Sequence, residues 1–208
     1  MENREIYTIG HSNHSIDYFL ELLNCHSINC VIDVRSTPAS SFNPQFNKLP
    51  LKNYLKLHNI IYMHFGEEFG ARQSDIDLLD KDGIVDFETF QKTRQFQNGI
   101  ERVDIGISKG YKIALMCSEG NPLECHRFSM ISGYLEEQGI KVNHILKNKK
   151  IASNQDLELK LLKKYDKKLP KPSLFDPSIN EELQLKVAYK LHNKDIGWQA
   201  KNFHHQLN

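Results

Sequence analysis

The chain has 208 residues, of which 39% are hydrophobic and 25% charged, with a net charge of only +1, so one buried core, with or without a small appendage, is within reach. The longest apolar runs, IALM and IIYM, fall far short of the roughly 18 residues a membrane helix needs, and MENREIYTIG has no signal-peptide core. A folded, cytoplasmic protein that neither crosses nor coats a membrane is expected, with its four cysteines reduced and no CxxC pair to suggest a zinc knuckle.

In chain order, Glu5–Ile9 reads as a first strand that ends in Gly10-His11-Ser12-Asn13, before a helix from about Ser15 to Cys25. Cys30–Val34 is the second strand and delivers Asp33 and Arg35 at its C-terminal end, ahead of the turn-rich Ser36–Phe46. Leu49–His58 reads as a short helix, Ile60–Phe65 as a third strand, and Gly66–Arg72 as a long loop. Asp86–Lys109 reads as a helix broken near Gln95–Gly99. Lys112–Met116 is a buried fourth strand because its apolar residues run without alternation. Cys117 opens the loop behind it. Asn121, Pro122 and Glu124 then supply an N-cap, a first-turn proline and an acidic third position for a helix over Pro122–Gln138, closed by Gly139. Lys141–Leu146 is the fifth strand. Cys25 and Cys30 are assigned to the core.

Strands alternating with helices at this spacing predict an α/β fold, a three-layer sandwich around a mostly parallel sheet of about five strands within residues 1–150. Residues 151–208 form a lysine-rich helical C-terminal appendage. It has helices at Ser153–Tyr165 and near Ile179–His192, joined by a Pro-rich strap in which Leu174 and Phe175, with Trp198 beyond, are expected to pack. Thirteen lysines face seven acids from Lys147 onward, so this tail carries about +6 and the rest of the chain about −5. A solvated face explains the lysines, and nucleic acid is the alternative partner.

Right-handed crossovers gather GHSN, DVRSTP, GEEFGAR and CSEGNPLECHR at one rim of the sheet. The stretches TIGHSNHSIDYFLELL, VIDVRSTPASSFNPQFNK, HFGEEFGAR and ALMCSEGNPLECHRFSMI, over roughly Glu5–Leu146, resemble the prokaryotic family catalogued as domain of unknown function 488. The resemblance implies an α/β fold with recurring polar motifs, and no settled activity.

At the rim the residue types point to an anion pocket. Arg35 and Arg127 offer planar forks for a phosphate or carboxylate, and the N–H groups opening the Pro122 helix add a positive dipole end. His11 is the candidate acid/base, Asp33 its orienting group, Glu119 a second acid/base and Cys117 the candidate nucleophile. Ser12, Asn43, Cys125 and His126 complete the binding set. An enzyme or binding protein for a phosphorylated or otherwise anionic small molecule, such as a nucleotide, is the expectation, with no motif that names a cofactor. Alternatively, Asp33 and Arg35 are a buried loop tether and His126 simply bonds a backbone carbonyl. A metal site through Cys117, Cys125, His126 and His11 is the third reading. None is assigned as a ligand, since adjacent Cys125 and His126 on a helix diverge by about 100°.

Overall fold

The computed structural model describes residues 4–172 and 178–200. Its strands are β1 (Glu5–Gly10), β2 (Cys30–Asp33), β3 (Ile61–His64), β4 (Ile113–Cys117), β5 (Lys141–Ile145) and β6 (Ile151–Ser153). They form one sheet in the order β3-β2-β4-β1-β5-β6. The first five are parallel, and β6, absent from the sequence reading, pairs antiparallel to β5. Three residues between turn signals are too short for periodicity to mark.

Helix α1 (Ile16–Cys25) and α2 (Lys48–Leu57) cover one face, where Phe19, Leu23, Leu51 and Leu55 bury Ile9, Val31, Ala114 and Met116. The other face carries α3 (Gly66–Phe69), α4 (Phe87–Gln91), α5 (Arg94–Ser108) and α6 (Gly133–Glu137), whose Phe69, Phe90, Phe96, Val103 and Leu135 bury Ile6, Ile32 and Leu115. Central strands covered on both sides must be apolar throughout, and every residue of β4 is buried. The expected break near Gln95–Gly99 lies earlier, at Lys92-Thr93, because the Thr93 side chain accepts from Phe96 N–H and starts a new helix. Gly66–Phe69, read as loop, makes one helical turn. Cys25 is exposed at the end of α1, so only Cys30 of that pair belongs to the core.

Chain direction across the sheet explains where the site lies. Connections from β1 to β2 and β2 to β3 run one way and use α1 and α2. Those from β3 to β4 and β4 to β5 run back, using helices of the opposite face. The loop leaving β4 therefore departs to one side of the sheet while the loops of its neighbours β1 and β2 depart to the other. Such a switch point leaves a crevice at the strand ends. Register keeps the three ends level, with Gly10 opposite Cys117 and Asp33 opposite Met116.

Helices α7 (Asn154–Tyr165) and α8 (Glu181–Ile196) pack around Phe128 through Leu157, Leu161, Tyr165 and Ala188. A capping box of Ser153 and Asp156 starts α7. Asn193 on α8 accepts from Phe87 N–H and donates to the Val85 carbonyl. Trp198 packs partly buried against the core, whereas Leu174 and Phe175 lie outside the described residues. No helix among the described residues is long and apolar enough to cross a membrane.

Candidate functional site

The segment after β4 departs most from its sequence reading, and the departure builds the site. Instead of one helix over Pro122–Gln138 there is a 3-10 turn at Pro122–Glu124, an extended Cys125 (φ −134°, ψ 139°), a π-helical stretch at Arg127–Ser132 and then α6. Asn121 does cap the first turn, accepting from Leu123 N–H, and Gly139 takes the left-handed conformation (φ +74°) just past α6. Cys125 is thus outside any helix, and the 100° divergence from His126 does not apply. π-Helical turns cost regular hydrogen bonding and concentrate at functional sites.

The break lets three donors converge. Cys117 Sγ, Cys125 Sγ and a His126 ring nitrogen all lie within 4.8 Å of one another, and both sulfurs are buried. His126 Nδ1 is 3.8 Å from each sulfur, while Nε2 donates to the Val34 carbonyl at 3.2 Å. Glu119, exposed on the solvent side, turns a carboxylate oxygen to 3.0 Å from Cys117 Sγ.

One negative charge dominates this cluster. Burial opposes ionisation of Cys125, but the Cys117 hydrogen bond and the Arg127 and His126 charges outweigh it and hold Cys125 well below the ordinary thiol range. Cys117 is pushed far up by that hydrogen bond to Cys125, then by burial and Glu119. Burial works against the His126 imidazolium, yet Cys125 raises its pKa. Burial, followed by the Cys125 charge, raises that of Glu119.

Both arginines, expected to grip an anion, are hydrogen-bonded inside the protein. Arg35 lies against Asp33 in a two-pronged ion pair, 2.9 Å from Nε and 2.6 Å from a terminal nitrogen, and also donates to the Phe46 carbonyl at 2.7 Å. Arg127 is wholly buried and donates to Thr8 Oγ1 (3.3 Å) and to the carbonyls of Glu119 (2.5 Å) and Gly120 (3.2 Å), fastening the loop behind β4. Asp33 does not orient His11. Its carboxylate takes Arg35 and the Tyr62 hydroxyl (2.7 Å), the loop tether named as the alternative.

His11 is buried, stacked on Phe46 with ring centroids 4.3 Å apart. It donates from Nδ1 to the Ser12 carbonyl and accepts from Arg35 at Nε2, 3.1 Å away. Burial and then Arg35 lower its pKa to about 4, so at neutral pH it is an uncharged packing group and a poor proton donor. Ser12 sits at φ +49° with its N–H on the Ser118 carbonyl, and a Cβ on Gly10 would fall 1.8 Å from the Glu119 carbonyl oxygen. The ends of β1 and β4 approach that closely. Asn43 lies in the β2–α2 connection, where its N–H donates to Ser40 Oγ at 3.2 Å rather than joining the cysteine cluster.

Sequence reasoning missed a buried chain behind Arg127. Thr8 Oγ1 meets His144 Nδ1 (2.8 Å), His144 Nε2 meets Asn154 Oδ1 (3.2 Å), Asn154 donates to Glu158 (2.9 Å), and Tyr189 donates to the same oxygen (2.9 Å). Polar residues inside the apolar strands EIYTIG and KVNHI were the available signal. Two surface hollows lie along α7, one lined by Lys163, Lys167 and Lys168 and the other by Ile151 and Lys160, away from the strand ends.

No curated protein and no solved structure matches the chain. The family model described as domain of unknown function DUF488 matches residues 15–135, more than half of the chain and every element that carries the cysteine cluster, and the protein belongs to that family.

Proposed function

We propose that this is a metal-binding protein whose centre is held by Cys117, Cys125 and His126 and takes a divalent cation of the zinc type. One observation carries the reading. The Nε2–H of His126 is fixed on the Val34 carbonyl, so Nδ1 is aimed at both sulfurs and becomes a ligand once its proton gives way to a cation, as a metal-ligating imidazole is oriented by its other nitrogen. Metal–sulfur bonds of about 2.3 Å and a metal–nitrogen bond of about 2.0 Å at tetrahedral angles separate such donors by roughly 3.6 Å. The observed 3.8 Å needs only a small contraction.

Charge favours the same reading. Two thiolates and a neutral imidazole around a divalent cation sum to zero, which suits a buried site better than an isolated thiolate. The anionic-ligand reading loses its two guanidinium forks to Asp33 and to loop carbonyls. Sulfur donors with nitrogen select zinc, iron or copper over magnesium and calcium.

The test is elemental analysis of protein purified under reductant, with cobalt(II) titration of the stripped protein. One metal ion per chain and thiolate-to-cobalt charge-transfer absorption are expected, the band weakening in Cys117→Ser and Cys125→Ser. A reduced, folded wild-type protein that binds neither ion defeats the proposal.

A further inference from the structure

Resting on that metal reading, the geometry points to Glu119 as a displaceable fourth ligand, which makes the centre one with an exchangeable, solvent-facing position rather than a closed structural site. Three donors leave a tetrahedral cation one position short, and that shortage distinguishes catalytic from structural zinc sites. A further donor in reach is the Glu119 carboxylate, 3.0 Å from Cys117 Sγ, where a sulfur and an oxygen bound to one ion stand roughly 3.6 Å apart.

Glu119 differs from the other three in how it is held. Cys117 ends a buried strand, and Cys125 and His126 are fixed by the main chain around the π-helical turn. Glu119 is exposed, and its carboxylate lies outside the mutually close set of three donors. Yet its main chain is pinned. The carbonyl accepts from Arg127, and Gly10 packs against it so tightly that no Cβ fits between them. The carboxylate itself is turned inward to Cys117 Sγ, so a fixed Cα on an otherwise exposed residue gives it two places, in on the ion or out in solvent, at the cost of χ rotations and of that one contact.

When the carboxylate swings away, the vacated position faces the solvent side of the loop after β4, where Glu119 is exposed. It admits a small donor such as water, a carboxylate or a compact anion. The anionic ligand expected at this rim then meets the metal instead of the arginines.

The experiment compares cobalt(II)-loaded wild-type protein with Glu119→Ala and Glu119→Gln, using thiocyanate as the added ligand and the visible d–d bands as readout. Thermal melts of the three stripped proteins establish that they fold alike. Both variants should still load cobalt, with affinity lowered about 10- to 100-fold, as for loss of a supporting group at a metal site. Thiocyanate should bind the alanine variant at least about tenfold more tightly than the wild type, since it no longer competes with a tethered carboxylate. Identical d–d spectra and equal thiocyanate affinity in wild type and variants overturn the role of Glu119 while leaving the metal centre standing. Absence of cobalt absorption in the wild type overturns the centre itself, and with it this inference.

Discussion

Removing the Arg127 guanidinium should cost stability rather than ligand grip. The side chain is wholly buried and makes three charge-assisted hydrogen bonds, to Thr8 and to the carbonyls of Glu119 and Gly120. Each carbonyl or hydroxyl left without its partner costs about 1–3 kcal/mol if it stays dry. Three such groups sum to about 3–9 kcal/mol, but Glu119 and Gly120 keep some solvent contact and their carbonyls partly rehydrate, so Arg127→Ala falls at the low end, about 3 kcal/mol. In a chain of this size that lowers Tm by roughly 6–12 °C. Arg127→Lys should recover only about a third of the loss, because a point ammonium reaches one carbonyl where the fork reaches two. Urea denaturation gives both numbers, with an unchanged slope confirming that the native fold is the same. A loss below about 1 kcal/mol for Arg127→Ala, or full rescue by lysine, would show that the guanidinium does not hold the loop.

Asp33→Asn leaves the Arg35 guanidinium buried without its counter-charge and should destabilise by about 3–5 kcal/mol, far more than an exposed ion-pair change such as Glu182→Gln. Comparable losses for the two variants in urea would refute the buried tether. His144 sits between Thr8 and Asn154 with burial lowering its pKa to about 3 from an ordinary 6.5, so the unfolded chain takes up its proton first as pH falls. Its contribution is complete above about pH 6.5 and is lost from there down toward pH 3, at no more than about 1.4 kcal/mol per pH unit. Stability of wild type against His144→Gln between pH 6 and 4 should therefore converge, and parallel curves would contradict it.

The sheet was legible because its signals are local and redundant. Apolar runs mark β1, β2 and β4, the Ser15 side chain caps α1, and strand–helix alternation needs parallel pairing. The rim was legible too, since handedness alone collects the loops at one edge. Side-chain roles at the rim were not. An arginine at a strand end reads equally as an anion fork or as a loop clamp, and only the carbonyls facing it decide. Asp33 was paired with His11 in the sequence reading, whereas the neighbour that captures it is Arg35, two residues away, with Tyr62 from the adjacent strand. The π-helical turn escaped because Asn-Pro-x-Glu before an apolar run is a sound helix start, and nothing in the residues 122–138 forecasts that Cys125 leaves the helix.

The cost of that irregular turn has to be met elsewhere, and the C-terminal helices are where the structure meets it. Phe128, inside the π-helical stretch, is the residue around which Leu157, Leu161, Tyr165 and Ala188 close. Arg127, one residue before it, is linked through Thr8 and His144 to Asn154 at the start of α7, and from there through Glu158 to Tyr189 on α8. Apolar packing on one residue and a polar chain from the next thus grip the same turn from two directions. The described residues after 151 therefore belong to the physics of the cysteine cluster, although none of them is among its three donors. The convergence of Cys117, Cys125 and His126 depends on a turn those helices hold in place.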